Sequence, residues 1–210
     1  MQRRYDVYIE GKPLVIAEAP PFSALPQQWL SMRVDHEREI QAAVQLLTHN
    51  ENILGIHLFP VAELPLWKLF KEGYIRVKAA GGVVLDEQGR LLAIRRLGKW
   101  DLPKGKVEKD EAIDAAALRE VQEECGIQEL QLLEPLMSTW HTYARNGKQH
   151  LKRTEWFLMR SSSKETLVPQ TEEDIEEVRW FSTEEAAMLK ADTYPSLLPV
   201  IEVWERLDRL

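Results

Sequence analysis

The chain has 210 residues, 44% of them hydrophobic, with a formal charge of −7 at pH 7. That length accommodates one medium domain and a small appendage around a real core, and the acidic balance argues against loose nucleic-acid binding, which requires a basic surface. One cysteine, Cys125, excludes an intrachain disulfide framework and a cysteine-based zinc site, and no apolar run approaches the ~20 residues that span a bilayer.

The opening MQRRYDVYIEGKPLV has no apolar core behind its arginines, so no signal peptide is expected and a reducing, cytoplasmic setting follows. YDVYIEG and PLVIAE alternate in polarity and predict a β-hairpin turning at Gly11-Lys12. APPFSALPQQW is Pro-rich and reads as loop. DHEREIQAAVQLLTHN puts Ile40, Val44 and Leu47 on one face of a helix that Asp35 would cap. ILGIHLFPV then predicts a buried strand and LPLWKLFKEGY a short helix. Residues 1–73 thus predict a small ββαβα module, α+β in class, without a motif. A homodimer interface, a lid over the substrate and a partner-binding surface all stay open for it. His36, His49 and His57 lack metal-ligand spacing and are expected in surface or core roles.

IRVKAAGGVVLDEQGRLLAIRR predicts a second hairpin around Glu87-Gln88-Gly89, and WDLPKGKV a loop leading to the next helix. That helix lies in GKVEKDEAIDAAALREVQEECGI. Asp110 is its candidate cap, and Gly126 a left-handed stop. Ile113, Ala117 and Val121 recur at i, i+4 and i+8, an apolar stripe suited to packing on a sheet. Glu120, Glu123 and Glu124 stand at i, i+3 and i+4, on one face. Three carboxylates that close are unfavourable without a cation among them. Oxygen ligands suit a hard ion, Mg²⁺ or Mn²⁺, and Mg²⁺ is usually bound together with substrate phosphates. Arg119 can reach Glu123 one turn on and hold it. Cys125, at the helix end, reads as a packed and idle side chain.

Further on, QELQLLEPLMSTWHTYAR and HLKRTEWFLMR predict a long antiparallel pair joined at Asn146-Gly147. An acidic loop, PQTEEDIEEV, precedes the strand VRWF; Ser182 caps TEEAAMLKA, and PSLLPVIEVWERLDRL closes the chain as a helix. Strands of mixed direction with helices on both sides predict an α/β/α sandwich.

The segment from Gly105 to Ile127 fits Gly-x5-Glu-x7-Arg-Glu-U-x-Glu-Glu-x-Gly-U, with U bulky and apolar. Gly105, Glu111, Arg119, Glu120, Val121, Glu123, Glu124, Gly126 and Ile127 fill every specified place. This resembles the Nudix box, and the resemblance to the Nudix hydrolase superfamily covers roughly Arg76 to Leu210. It implies an α/β Nudix sandwich with a mixed sheet over residues 74–210, preceded by the module of residues 1–73. It also implies a metal-dependent hydrolase in which water attacks phosphorus of a nucleoside diphosphate-linked substrate. By the same resemblance Glu120 and Glu124 are the main metal ligands, Glu123 a further ligand or a base, and the backbone carbonyl of Gly105 completes the shell. Arg119 orients the carboxylates, and Glu111 has a structural role.

In this superfamily the general base often lies outside the box. The acidic loop offers Glu172, Glu173, Asp174, Glu176 and Glu177, of which Glu173 and Glu176 are the chosen candidates, with Glu155 as competitor. Arg95, Arg96, Lys99, Lys104 and Lys106 crowd the approach to the carboxylates and suit a chain of more than two phosphates. Arg145, Lys148, Lys152 and Arg153 add cations that serve either phosphate binding or solubility. Tyr143, sixteen residues beyond Ile127, resembles a tyrosine of the dinucleoside polyphosphate hydrolase branch and implies base or phosphate recognition. The implied substrate is a dinucleoside polyphosphate. Alternatives are a (d)NTP, a diphosphoinositol polyphosphate, the 5′ diphosphate of RNA (disfavoured by the acidic charge), and a non-catalytic nucleotide-sensing regulator, against which the intact box stands.

Overall fold

The computed structural model describes residues 3–61 and 63–207. Its backbone divides into two compact units, Met1–Val77 with Trp140–Lys152, and Lys78–Thr139 with Arg153–Leu210.

In the first unit β1 (Arg4–Ile9) and β2 (Lys12–Ala17) pair antiparallel. Glu10 and Gly11 carry φ of 49° and 80°, the two positive values that a tight hairpin turn requires. The turn therefore centres one residue before the expected Gly11-Lys12. A further strand, β3 (Trp29–Val34), is absent from the expected order; at the sheet edge with half of its residues exposed, it shows none of the alternation that marks a half-buried strand. After α1 (Glu37–His49), β4 (Gly55–Pro60) enters parallel to both β2 and β3. With α2 (Leu66–Glu72) the module is βββαβα. The cap of α1 is His36 and not Asp35: the His36 Nδ1 accepts from the Arg38 N–H at 3.2 Å, and Glu39 accepts from the Asp35 and His36 N–H groups at 2.8 and 3.2 Å. Asp35 sits one position too early for its side chain to serve. Val7, Leu14, Ile16, Ile56 and Leu58 form one buried sheet face, closed by Ile40, Ala43 and Leu47 of α1 and Leu66 and Phe70 of α2. Trp140 and His141 join this unit by parallel pairing with Val7 and Tyr8.

The second unit is built from β5 (Ile75–Leu85) from Lys78 on, β6 (Leu91–Arg96), β7 (Lys99–Asp101), β8 (Lys104–Lys106), α3 (Ile113–Cys125), β9 (Leu130–Arg145) as far as Thr139, β10 (Lys148–Ser161) from Arg153 on, β11 (Ile175–Phe181), α4 (Ala186–Ala191) and α5 (Leu198–Leu207). Strands run in the order β11-β6-β5-β10-β9. The run LLAI of β6 has no polar alternation because both faces are covered. Leu92 and Ile94 pack with Ala116, Ala117 and Val121 of α3, whereas Leu91 and Ala93 pack with Leu189, Val200, Ile201 and Trp204 of α4 and α5. This is the expected α/β/α sandwich.

Three local expectations are corrected. Residues 100–107 are not simply loop, since β7 pairs with β6 and β8 with β5, Ala80 opposite Gly105. Asp110, with φ 64°, does not cap α3, whose first helical residue is Ile113 after Ala112. The strand expected at Val178 begins at Ile175, so Glu176 and Glu177 lie on β11 while Thr171–Glu173 form a 3-10 turn. Gly126 does stop α3, with φ 73°. The last three residues of the expected closing helix fall outside the described residues. Among the described residues no helix is long and apolar enough to cross a membrane.

Candidate active site

The apolar stripe of α3 decides how its acids are presented. Because Ala117 and Val121 are buried against the sheet, Glu120 and Glu124 come to the helix–sheet seam and Glu123 turns outward. Glu124 is 2% exposed. Its Oε2 accepts from the backbone N–H of Lys104 at 2.8 Å, and its Oε1 lies 3.7 Å from Nη1 of Arg96. Burial raises its pKa to about 7, against the pull of Lys104. Glu120 is also raised, first by burial, with the charges of Glu123 and Glu173 adding to it and Arg119 opposing.

Arg119 organises this face. Its Nε and Nη2 donate to both oxygens of Glu111 at 2.8 and 3.0 Å, and its Nη1 donates to Glu120 and Glu123, each at 2.9 Å. A further bond of 3.1 Å runs from Nη2 to the carbonyl of Lys106. The fork holds Glu111 down to about 2, mainly through these hydrogen bonds. Glu111 is thus the anchor that fixes the arginine, in keeping with a structural role. Gly105 on β8 meets the other side of Glu120: a Cβ there would stand 1.8 Å from Oε2.

The expected cations divide sharply. Arg96, next to Arg95 on β6, reaches the acids: Nη2 donates to Glu173 at 2.9 Å. Its Nε is buried with no partner among the described residues. Arg95 is not brought to the carboxylates; it binds Asp192 at 3.1 Å and the Gly98 carbonyl at 3.0 Å, with its guanidinium 5.3 Å from the Trp100 ring centre. Strand alternation sends these neighbours to opposite faces. The Lys104 Nζ, nearly buried, is bound to Asp101 at 2.7 Å. Lys99 lies over Tyr194 at 5.9 Å, and the Lys106 side chain is exposed.

Of the candidate bases, Glu173 is joined to the cluster through Arg96. Glu176 instead accepts from the Gly98 N–H at 3.1 Å and clamps the β6–β7 turn. Glu155 is taken up by Ser138, at 2.7 Å, and by Arg153. Tyr143 belongs to the first unit, where its ring stacks on His150 with centres 5.0 Å apart. Cys125 is buried and its thiol is pushed well up, as an idle side chain should be. Two partners escaped the sequence reading. Asp101 could have been found from its i, i+3 spacing to Lys104, but Asp192 lies 97 residues from Arg95 and leaves no local signal.

Among the described residues no three acidic, histidine or cysteine side chains converge as metal ligands, and the Arg119 Nη1 bonds both Glu120 and Glu123. The donor set nevertheless fits a hard cation. All its side-chain donors are carboxylate oxygens, and the two acids at the seam are raised by burial, a condition that a neighbouring positive charge relieves.

A family model described as the NUDIX domain matches residues 75–202. A MutT-like protein of Streptomyces ambofaciens is 53% identical over 51 residues, which cover 23% of this chain and 33% of that protein's length. An RNA pyrophosphohydrolase of Acidiphilium cryptum is 29% identical over 147 residues, 61% of this chain and 85% of that protein. A MutT protein structure from Methanosarcina mazei shares the fold with a TM-score of 0.52 at 22% identity, covering 65% of this chain and 98% of that one.

Proposed function

We propose a phosphoanhydride hydrolysis for this chain, which belongs to the Nudix family of hydrolases. The observation that carries the reading is the pair of raised carboxylates, the half-buried Glu120 and the buried Glu124, held at the seam by Arg119, Gly105 and the Lys104 N–H. Glu120, Glu124, Glu123 and the Gly105 carbonyl would hold a divalent cation, Mg²⁺ or Mn²⁺. When bound, such an ion neutralises phosphate charge and makes water a better nucleophile. Arg119 keeps two of the acids in place, and the buried Asp101–Lys104 pair fixes the strand whose N–H binds Glu124. Glu173 is the base we favour over Glu176, since Arg96 ties it to the cluster and Glu176 is committed to a turn.

For the substrate we propose a dinucleoside polyphosphate. Arg96 supplies the cation at the acids, with Lys99 and Lys106 available for a longer phosphate chain. Tyr143 enters this reading on its sequence offset alone, and so does the division that assigns residues 1–73 a separate role. A cytoplasmic setting belongs to the same proposal. A second substrate reading, the 5′ diphosphate of RNA, is favoured by the relative from Acidiphilium cryptum, which matches along 85% of its length. A product-resolved chromatographic assay with Mg²⁺ decides between them. Cleavage of diadenosine tetraphosphate to two nucleotides supports the first. Release of pyrophosphate from triphosphorylated RNA, with the dinucleotide untouched, selects the second.

A further inference from the structure

The sheet of the first unit has a face that the helices do not cover. Leu14, Ile16, Ile56 and Leu58 face α1 and α2, so alternation sends Val15 and its pairing partner His57 to the opposite side. There the Pro-rich segment lies over the strands and leaves a cavity of about 330 Å³, lined among others by Arg3, Arg4, Pro20, Phe22, Trp29 and His57. That volume lies at the small end of ligand pockets, which run from roughly 300 Å³.

Three features make this a built cavity. His57 is 5% exposed, and its Nδ1 has no hydrogen-bond partner among the described residues, an uncommon state for a buried polar atom. Burial, with the Arg4 charge adding to it, lowers the imidazole pKa, so the ring offers one donor and one acceptor. Trp29 forms an aromatic wall seated on Gly55, where a Cβ would stand 2.3 Å from the indole. The charged residues that border it, Arg3 and Arg4, are both cations, Arg4 being paired with the neighbouring Asp6 carboxylate. Arg4 is oriented by Asp6, through bonds of 2.7 and 3.0 Å, and the Arg3 backbone N–H is held by Glu18 at 3.1 Å.

We propose that this cavity is a second ligand site, for an anion of mononucleotide size that carries an aromatic ring. The arginines take the anionic group, Trp29 stacks on the ring, and the His57 imidazole exchanges a hydrogen bond with a polar edge. A whole dinucleoside polyphosphate is too large for it. The site uses no residue of the reaction proposed above.

The test uses the full chain carrying Glu124→Gln, with AMP, adenosine and inorganic phosphate as probes. Calorimetry is expected to show AMP binding at least about tenfold more tightly than either fragment, and Arg3→Ala to weaken AMP by about tenfold. The His57 ring resonances should shift on AMP addition, and His57→Phe should lose the same increment of affinity. Arg3 is exposed, so its variant keeps the test valid even if His57→Phe disturbs the fold. No AMP binding, binding that leaves the His57 resonances unmoved, or affinity unchanged in Arg3→Ala would each overturn the proposal.

Discussion

The backbone of Gly105 is packed directly onto the carboxylate of Glu120, so that a Cβ at residue 105 would lie 1.8 Å from Oε2 and 2.0 Å from the carboxyl carbon. The clash falls on the end of a flexible side chain and not on backbone. Gly105→Ala should therefore fold normally and displace Glu120 from the seam. Misplacing a reacting group by about an ångström costs on the order of 100-fold, and that is the expected loss in kcat/KM. Steady-state kinetics beside a thermal melt would check it; a stable variant with full activity would remove Glu120 from the machinery.

Arg119 spends its fork on three acids, two bonds to Glu111 and one each to Glu120 and Glu123. A lysine retains the charge but cannot reproduce the fork. Arg119→Lys should lower apparent metal affinity or turnover by roughly 10- to 100-fold, the usual effect of removing a group that orients metal ligands. Glu111→Gln, which weakens the anchor, should move the same parameter less. Metal titrations of turnover give both values, and full activity in Arg119→Lys would mean that charge alone suffices.

Glu124 makes stability depend on pH with a definite sign. Its carboxyl rises from 4.5 to about 7 because burial disfavours the charged form. Between those values the folded chain holds a proton that the unfolded chain has released, so stability falls as pH rises through this window. The destabilisation is absent below the lower value and complete above the upper one, where it amounts to about 3 kcal/mol. A divalent cation would stabilise the carboxylate and flatten the dependence. Thermal melts from about pH 4 to about pH 8 in chelator should therefore show a decline that Mg²⁺ abolishes and that Glu124→Gln reduces to the smaller part left by the raised Glu120 carboxyl. An equal decline in Glu124→Gln would assign it to other groups.

Gly55 offers a purely structural check. Its missing side chain leaves room for the Trp29 indole, which a Cβ would meet at 2.3 Å. Gly55→Ala should destabilise the first unit by about 1–3 kcal/mol through overpacking, read as a lower urea midpoint.

How much of this was legible in the sequence follows from how local each feature is. The Arg119–Glu123 contact and the Gly126 stop depend on helical spacing alone, and both stand in the structure, whereas of the three acids Glu120 and Glu124 reach the seam and Glu123 turns outward. The sandwich was legible because LLAI and the α3 stripe carry enough apolar residues to state which faces are covered. Where the sequence misled, the deciding interaction was distant or the signal weak. β3 is exposed at an edge and gains its structure from pairing with β4. Arg95 and Arg96 look alike in a sequence, and only the sheet sends one to Asp192 and the other to Glu173. Glu173 and Glu176 were equivalent candidates until the start of β11 at Ile175 separated a turn from a strand.

The most direct measurement is turnover of diadenosine tetraphosphate against Mg²⁺ concentration, with wild type and Glu124→Gln side by side. Wild type should be inactive in chelator and saturate with Mg²⁺, and the variant should fold but lose at least about 100-fold in kcat/KM at every concentration, about 3 kcal/mol of transition-state stabilisation. Near-wild-type turnover by Glu124→Gln at saturating Mg²⁺ would contradict the assignment of the seam carboxylates as the metal-holding centre.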